Sequence, residues 1–216
     1  MKNFNHVGSE LQDLRTENIN GKRHYVTPNG NKYISITSLL SNLSKADIQK
    51  WRERVGEAEA NKISTKASRQ GTGVHNICES YIKNEYGFLD GRMPNEIDMF
   101  TSIQSLLDRI NNIHCVEGAL YSDELKLAGR TDLIAEFDDE LAVIDYKTSR
   151  KIKTWDMCHA YFMQGAFYAH AYEERTGVSV NGIVIIMAVE NEKPLLFRET
   201  KERWLNPLKE VQYKYM

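Results

Sequence analysis

Polar and apolar residues alternate along two adjacent stretches of the chain, residues 129–137 and 140–147. A period of two predicts two β-strands, and the two aspartates between them predict a two-residue turn. With a turn of that length, the strands form an antiparallel hairpin in which Ile134 lies opposite Val143. The apolar run around Val143 is typical of a strand in the protein core.

The same register places charged residues opposite one another on a single face of the hairpin. Asp132 lies opposite Asp145, and Arg130 lies opposite Lys147. Directly opposed residues are separated by only about 4.5–5.5 Å, so the two carboxylates repel unless a positive charge lies between them. The hairpin therefore predicts a bound divalent metal ion, with Lys147 on the same face.

Hydrophobic periodicity predicts helices and strands over most of the remaining chain. The predicted elements are a hairpin at 22–35, helices at 37–43, 45–60, 72–84, 94–111, 154–175 and 204–215, and strands at 114–121, 182–189 and 194–200. Thr72 is the predicted N-cap of its helix. Residues 1–20 are expected to form a loosely ordered arm, and residues 61–70 a flexible connection.

The order of these elements predicts an α/β fold with a mixed central sheet and helices on both faces. We expect residues 1–70 to form an N-terminal arm, hairpin and helical extension, and residues 71–216 to form the core. Both parts are expected to belong to one compact domain, because 216 residues suffice for a single substantial core.

Composition narrows the class of protein without identifying it. Hydrophobic residues at 41% and charged residues at 27% are ordinary for a soluble globular protein. A net charge of -2 neither indicates nor excludes nucleic-acid binding, because acidic residues at a metal site offset basic residues elsewhere. Basic runs occur at 45–69 and 150–153, although most such runs are only solvated surface.

The cysteines favour a reducing compartment, and the N-terminal residues favour the cytosol. Cys78, Cys115 and Cys158 are widely spaced and predict neither a disulfide framework nor a metal cluster. No apolar segment resembles a signal peptide or a membrane span, and Glu10 and Asp13 argue against a transit peptide. We expect a cytoplasmic protein, in a phage or bacterial cytosol, without a membrane partner.

Asp132, Asp145 and Lys147 are the strongest catalytic candidates. Mg²⁺ binds one or two carboxylates together with water and phosphate oxygens, and it activates water for phosphodiester hydrolysis. Lys147 could orient that water or stabilise the charge on phosphorus. An isolated Asp-x-Lys motif is more often a surface charge pair, but the opposed Asp132 and the apolar strand favour the catalytic interpretation.

Three further elements could contribute to this site. His75 and Glu79 share a helix face and could both approach a metal ion, although a histidine in a first helical turn is usually structural or exposed. Glu117 interrupts an apolar strand and could support the site or lie on a wet edge. Gln164 and Tyr168 share a face of the next helix and could hydrogen-bond to nucleic acid, or belong to an aromatic core.

Taken in order, these motifs resemble one known family. They are Gly71-x-x-x-His75, Glu117, Gly129-x-x-Asp132, Asp145-x-Lys147 and Gln164-x-x-x-Tyr168. The series resembles the RecB-like exonuclease branch of the PD-(D/E)XK nucleases, which implies a restriction-endonuclease-like core. The N-terminal hairpin and helices look like those of mitochondrial genome maintenance exonuclease-type proteins and their phage relatives.

The resemblance implies a role for each candidate residue. The implied metal ligands are His75, Asp132, Asp145 and the backbone carbonyl of Tyr146. Lys147 is the implied catalytic lysine, the catalytic set also includes Asp132, Asp145 and Glu117, and Glu117 or Glu79 supports the site. The substrate-binding candidates are Gln164, Tyr168, Glu79, Arg130, Thr148, Arg150, Trp51 and Arg52. The chain departs from the commoner pattern because Asp145 replaces a glutamate, and it lacks the cysteines that would hold an iron–sulfur cluster.

We therefore expect an Mg²⁺- or Mn²⁺-dependent DNA exonuclease acting on single-stranded ends in DNA repair, recombination or replication. Basic residues around Trp51 and Arg52 could line the path of the strand. A helicase, polymerase or single-strand-binding protein could be a partner. The alternatives are a structure-specific or nicking endonuclease on the same fold, and a non-catalytic module that binds nucleic acid or a partner.

Overall fold

The computed structural model describes residues 2–8 and 11–216, so Glu10 lies outside the described residues. The strands are β1 (Arg15–Ile19), β2 (Lys22–Val26), β3 (Lys32–Ser35), β4 (Ile110–Ser122), β5 (Leu127–Phe137), β6 (Glu140–Ser149), β7 (Gly182–Val189) and β8 (Leu195–Thr200). The helices are α1 (Ile36–Leu40), α2 (Lys45–Val55), α3 (Glu57–Ile82), α4 (Pro94–Leu107), α5 (His159–Thr176) and α6 (Lys201–Tyr215). Short 3₁₀ segments follow α1 and precede α5.

These eight strands form one mixed sheet. Its order is β1, β2, β3, β5, β6, β7 and β8, and β4 also pairs with β5. The β3–β5 and β6–β7 pairs are parallel, and the other pairs are antiparallel. Apolar side chains lie on both faces of the sheet, where α3 and α4 cover one face and α5 and α6 cover the other. The predicted mixed α/β fold is confirmed.

The predicted register of the central hairpin is confirmed where its strands pair. Ile134 of β5 lies opposite Val143 of β6, and the ladder ends at Leu133 and Ile144. Ile134 and Val143 contribute to the core beneath α5, whereas Leu133 and Ile144 contribute to the core beneath α3 and α4. A slip of one residue would exchange these faces, so burial on both sides fixes the register.

The turn of this hairpin contains the two predicted residues. Asp138 and Asp139 have φ angles of 51° and 65°, which are the left-handed values of a type I′ turn. Aspartate tolerates this conformation better than most residues. The Asp138 carboxylate also forms ion pairs with Arg109 and Arg198, which lie on either side of the turn.

Beyond the ladder the two strands diverge, which corrects part of the predicted pairing. The opposed pairs Asp132–Asp145 and Arg130–Lys147 do not form in the described sheet. The reason is that β3 pairs with the start of β5, at Ala128, on the edge that β6 has left. A gap between strands therefore opens along β5 just before the hairpin ladder begins.

Helix α3 corrects the predicted boundaries in the N-terminal half. It is continuous, so residues 61–70 are helical rather than a flexible connection, and Thr72 is an internal residue rather than an N-cap. Beside Thr72, the carboxylate of Glu96 in α4 lies against α3, and a Cβ atom on Gly73 would lie 2.1 Å from its carboxyl carbon.

Other predicted boundaries are confirmed or shifted. The hairpin at 22–35 is formed by β2 and β3, and the strand at 182–189 is β7. Helix α5 ends at Thr176, and the next residue, Gly177, adopts the left-handed conformation. The helix predicted at 94–111 ends at Leu107, because the chain enters β4 at Ile110. The boundary between residues 70 and 71 lies within α3, and the division into two parts stays a prediction.

The N-terminal residues are packed rather than loosely ordered, where the structure describes them. Phe4 is 3% exposed, and its ring centroid lies 5.2 Å from that of Tyr81 in α3. His6 forms a β-bridge with Ile113, and β1 adds a strand to the edge of the sheet. Within residues 2–8 and 11–216, every helix is too short or too polar to cross a lipid bilayer.

Candidate active site

The gap between β5 and β6 places Asp132 at the end of the hairpin ladder. The backbone N–H of Tyr146 donates a hydrogen bond of 2.9 Å to Asp132 Oδ2. The carboxylate therefore connects the two strands where their backbone ladder has ended. One lone pair of the Asp132 carboxylate accepts this bond from β6, and its other lone pairs can bind a further donor or a cation.

Helix α3 brings His75 to this carboxylate. His75 Nδ1 lies 3.4 Å from Asp132 Oδ2, and the imidazole packs edge-on against the ring of Tyr146, with centroids 5.9 Å apart. Gly71 lies one turn earlier on the same helix, close to β6. A Cβ atom there would lie 3.3 Å from Thr148 Oγ1 of β6.

Glu117 reaches the same place from β4. In the β4–β5 register, its neighbours pair with the residues on either side of Asp132, so Glu117 falls opposite Asp132. Its φ angle of 50° is unusual for a non-glycine residue inside a strand and locally interrupts the ladder. Burial, together with the negative charges of Asp132 and Glu79, raises the pKa of Glu117 to about 7.

The donor atoms of this cluster fit a divalent cation. One ligand atom from each of His75, Glu117 and Asp132 lies within 4.8 Å of the others. Carboxylate oxygens with an imidazole nitrogen suit Mn²⁺ and related ions, and the carboxylates suit Mg²⁺. This cluster differs from the predicted ligand set because Glu117 belongs to it and Asp145 does not.

Asp145 lies deeper, beside Lys147. The side chain of Asp145 is 4% exposed, and Asp145 Oδ2 lies 2.5 Å from Lys147 Nζ. Asp145 Oδ1 is buried without a hydrogen-bond donor among the described residues, whereas Oδ2 faces the Lys147 ammonium group. Buried acceptors normally have a partner, and a cation in the neighbouring cluster would supply positive charge to them. The structure therefore also leaves Asp145 compatible with a metal.

The ionisation of this pair follows from burial and from neighbouring charges. Burial raises the pKa of Asp145 to about 6, although the ammonium group of Lys147 opposes that shift. Burial lowers the pKa of Lys147, but the carboxylates of Asp145 and Asp132 outweigh it, and the pKa is raised above its usual value. Lys147 is therefore a cation at neutral pH.

A cleft of about 430 Å³ contains most of these groups. Its lining consists of Gly71, Thr72, His75, Asn76, Glu79, Glu117, Asp132, Lys147 and Thr148. Six predicted site residues thus share one cleft, and their catalytic and binding roles stay predictions. Thr72 and Asn76 also line the cleft but were not predicted as site residues, because a threonine and an asparagine beside His75 form no recognisable motif.

Gln164 and Tyr168 lie on α5, behind this cleft. Gln164 Nε2 donates a hydrogen bond of 3.3 Å to Tyr168 Oη. Tyr168 is 2% exposed and packs against β5, where a Cβ atom on Gly129 would lie 2.9 Å from its hydroxyl oxygen. Burial raises the pKa of Tyr168 well above its usual value. Tyr168 is thus a core residue that can position Gln164.

Two predicted substrate-binding arginines lie outside the cleft lining. Arg130 donates a hydrogen bond to the backbone carbonyl of Glu117 and forms an ion pair with Asp13. It lines a neighbouring cavity of about 320 Å³ on the other side of Glu117. Arg150 is exposed in the β6–α5 loop, with its Nε atom 3.9 Å from a Glu190 carboxylate oxygen.

Trp51 and Arg52 lie on α2, away from the cleft lining. Arg52 Nε donates a hydrogen bond of 3.1 Å to Glu57, and the same guanidinium bonds to Asn61. The hydrogen bond with Glu57 raises the pKa of Arg52. These contacts hold α2 against the start of α3, and a path for DNA along α2 stays a prediction.

The chain is similar in sequence to known nucleases. The profile of the PD-(D/E)XK nuclease superfamily matches residues 39–202. Mitochondrial genome maintenance exonuclease 1 of Mus musculus is 28% identical over 131 residues, which are 57% of this chain and 39% of that protein. The Homo sapiens protein of the same name is 28% identical over 112 residues, covering 49% of this chain and 32% of that protein.

The chain thus spans less than two fifths of the length of these curated relatives. A crystal structure of a candidate exonuclease from Eubacterium rectale superposes with a TM-score of 0.45 at 13% identity, covering 69% of this chain and 68% of that one. Since the superfamily profile extends over residues 39–202 and includes the whole lining of the cleft, the chain belongs to the PD-(D/E)XK nuclease superfamily.

Proposed function

We propose that this protein is a metal-dependent DNA exonuclease that hydrolyses phosphodiester bonds at single-stranded ends. The observation that carries the proposal is the meeting of His75, Glu117 and Asp132 with Lys147 in one cleft. The names of the mouse and human relatives support exonuclease activity. DNA repair, recombination or replication, with a helicase, polymerase or single-strand-binding partner, is the proposed setting.

The proposed metal ligands are His75, Asp132, Asp145 and the backbone carbonyl of Tyr146, with Glu117 added by the geometry of the cluster. When Mg²⁺ or Mn²⁺ is bound there, it polarises the scissile phosphate and lowers the pKa of a water molecule. The hydrogen bond from Tyr146 N–H fixes the orientation of the Asp132 carboxylate. The edge-on packing of Tyr146 similarly limits rotation of the His75 ring.

Lys147 supplies positive charge and hydrogen-bond donors to the reacting phosphate. Its raised pKa keeps the ammonium group charged at neutral pH, so it acts by orientation and charge stabilisation rather than by accepting a proton. Its Nζ atom is held by Asp145 at 2.5 Å, and the side chain is 19% exposed towards the cleft. A fixed ammonium group of this kind loses little entropy when the substrate binds.

The substrate strand is proposed to cross the cleft past Thr148 and Glu79. Gln164, held by Tyr168, supports the strand from α5. Arg150 and the basic surface that includes Trp51 and Arg52 attract the phosphate backbone outside the cleft. The effect of this surface depends on ionic strength, because phosphate contacts release bound counterions.

End-labelled linear DNA and covalently closed circular DNA, each with Mg²⁺, Mn²⁺ or EDTA, test this function. We expect the linear single strand to be shortened from its end, the circle to stay intact, and EDTA to abolish cleavage. Lys147→Ala is expected to lower the rate by at least about 10²-fold, because it removes a transition-state charge partner.

Lys193→Ala removes an exposed lysine in the β7–β8 turn and is the matched control, with an unchanged rate. Thermal unfolding of both variants shows whether each remains folded. Full cleavage by folded Lys147→Ala, or cleavage that persists in EDTA, would contradict the mechanism. Cutting of the closed circle would instead support the endonuclease alternative.

A further inference from the structure

Tyr161, in the first turn of α5, contacts two lysines. Lys147 Nζ and Lys153 Nζ lie 5.1 Å and 4.8 Å from the ring centroid. Lys153 Nζ also donates a hydrogen bond of 2.7 Å to Tyr161 Oη. One aromatic side chain thus fixes Lys153 in relation to Lys147.

The two lysines differ in how their charges are balanced. Lys147 has Asp145 at 2.5 Å, but no carboxylate oxygen lies within 4.0 Å of Lys153 Nζ in the described part of the chain. Lys153 and Tyr161 are both half-buried, whereas the neighbouring Lys151 is exposed. A half-buried ammonium group held in one position without a carboxylate partner is placed to bind an external anion.

The phosphodiester backbone is the anion that the proposed function brings to this position. Lys153 lies in the loop that directly follows β6, so a strand bound at Lys147 passes next to it. Neither Lys153 nor Tyr161 belongs to the lining of the cleft, so they extend the site beyond it.

We infer that Lys153 and Tyr161 form a phosphate-binding subsite for the nucleotide next to the scissile phosphate. Lys153 binds the phosphate, and Tyr161 holds the Lys153 ammonium group in place. This inference rests on the proposed function, because a nucleic-acid strand must cross the cleft for the neighbouring phosphate to reach Lys153. Such a contact helps to place the scissile phosphate against Lys147.

The subsite is tested by the binding of a fluorescein-labelled single-stranded oligonucleotide in EDTA over a series of salt concentrations. Lys153→Ala is expected to bind about five- to tenfold more weakly, because a charge-assisted hydrogen bond is lost. Its plot of log K against log salt should be shallower by about 0.7, the value for one phosphate contact on a single strand. Tyr161→Phe keeps the charge and is expected to leave that slope unchanged, with about two- to threefold weaker binding.

Lys151→Ala is the matched control, because it removes the same charge from the same loop at an exposed position. It is expected to change the slope by less than half as much as Lys153→Ala. Equal effects of the two alanine variants would overturn the subsite, since bulk charge alone would then explain them.

Failure of the proposed function is a separate outcome. If the wild-type protein neither binds DNA in EDTA nor cleaves it with Mg²⁺, both proposals are overturned. If the wild type binds and cleaves while Lys153→Ala keeps its affinity and salt slope, only the subsite is wrong.

Discussion

The two ends of the β5–β6 hairpin carry similar charged residues in opposite circumstances. At the turn, Asp138 forms ion pairs with Arg109 and Arg198, and all three side chains are substantially exposed. At the other end, Asp132 and Asp145 lie near one lysine, in a less exposed place. The turn satisfies its charges within the chain, whereas the open end carries more acidic groups than its own cation can balance.

This difference indicates which end is built for stability and which for binding. Exposed ion pairs contribute little each, but they favour the turn that fixes the register. A buried carboxylate oxygen without a donor, such as Asp145 Oδ1, destabilises the folded chain unless an external partner compensates. The unusual backbone of Glu117 adds strain at the same end. The open end is therefore expected to gain stability from a ligand, and the turn is not.

The largest expected contrast is in the response to metal. Mg²⁺ or Mn²⁺ at about one hundred times its dissociation constant should stabilise the wild type by about 2.7 kcal/mol, because only the folded chain forms the cluster. For a chain of this size the melting temperature should rise by roughly 5–10 °C. Asp132→Asn is expected to lose most of this rise, since it removes one charged ligand. Differential scanning fluorimetry with a metal titration measures the rise in melting temperature of each protein.

Asp138→Asn makes the same chemical change at the other end of the hairpin and is the matched control. Its melting temperature is expected to fall slightly through loss of the exposed ion pairs, but its rise with metal should equal that of the wild type. A metal response that survives in Asp132→Asn, or that is lost equally in Asp138→Asn, would remove the distinction between the two ends.

The pH dependence of stability gives a smaller contrast. The pKa of Glu117 is about 7 in the folded chain, against a usual value of 4.5. The folded state therefore binds this proton more tightly than the unfolded state does. Glu117 thus contributes its full stability below pH 4.5, and the contribution is lost as the pH rises through 7. Since solvent reaches part of the side chain, we expect the loss to be about 1–2 kcal/mol rather than the full value of the shift.

Glu117→Gln removes this ionisation. In EDTA it should be more stable than the wild type by about 1–2 kcal/mol at pH 8, and about equally stable at pH 4.5. Urea unfolding at the two pH values measures the difference. The comparison requires EDTA, because a bound cation would favour the ionised carboxylate. An advantage of the same size at both pH values would show that shape or strain, rather than charge, causes it.

Sequence patterns predicted the closed part of the hairpin better than its open part. Strand alternation and a two-residue loop determine that Ile134 lies opposite Val143, and both features are local. The divergence beyond the ladder depends on β3, which pairs with β5 at Ala128 from far away in sequence. No pattern within the hairpin contains that information, so the predicted Asp132–Asp145 opposition was wrong although both residues do reach the site.

The same limit explains the residues that were misplaced or missed. Thr72 suggested a helix start, but it lies inside α3, between two glycines that Thr148 and Glu96 approach. From the sequence, Tyr161 is one of several aromatic residues on a helix. Its contact with two lysines depends on the path of the β6–α5 loop. Motif order selected the candidate residues, whereas tertiary packing determines which of them share the cleft.

The smallest expected effect concerns the turn itself. Asp139 has a φ angle of 65°, in the left-handed region that glycine adopts without steric cost. Asp139→Gly creates Asp-Gly, a favoured pair for a type I′ turn, and keeps Asp138 with its two arginines. Glycine also makes the unfolded chain more flexible, so the net gain should be only about 0.5 kcal/mol. Chemical unfolding measures that gain, and the cleavage rate should not change.

Asp138→Gly is the matched variant, which relieves similar strain but loses both ion pairs and should gain nothing. If Asp139→Gly altered the cleavage rate or the metal response, the turn would be coupled to the open end, and the two ends could not be separated into one for stability and one for binding.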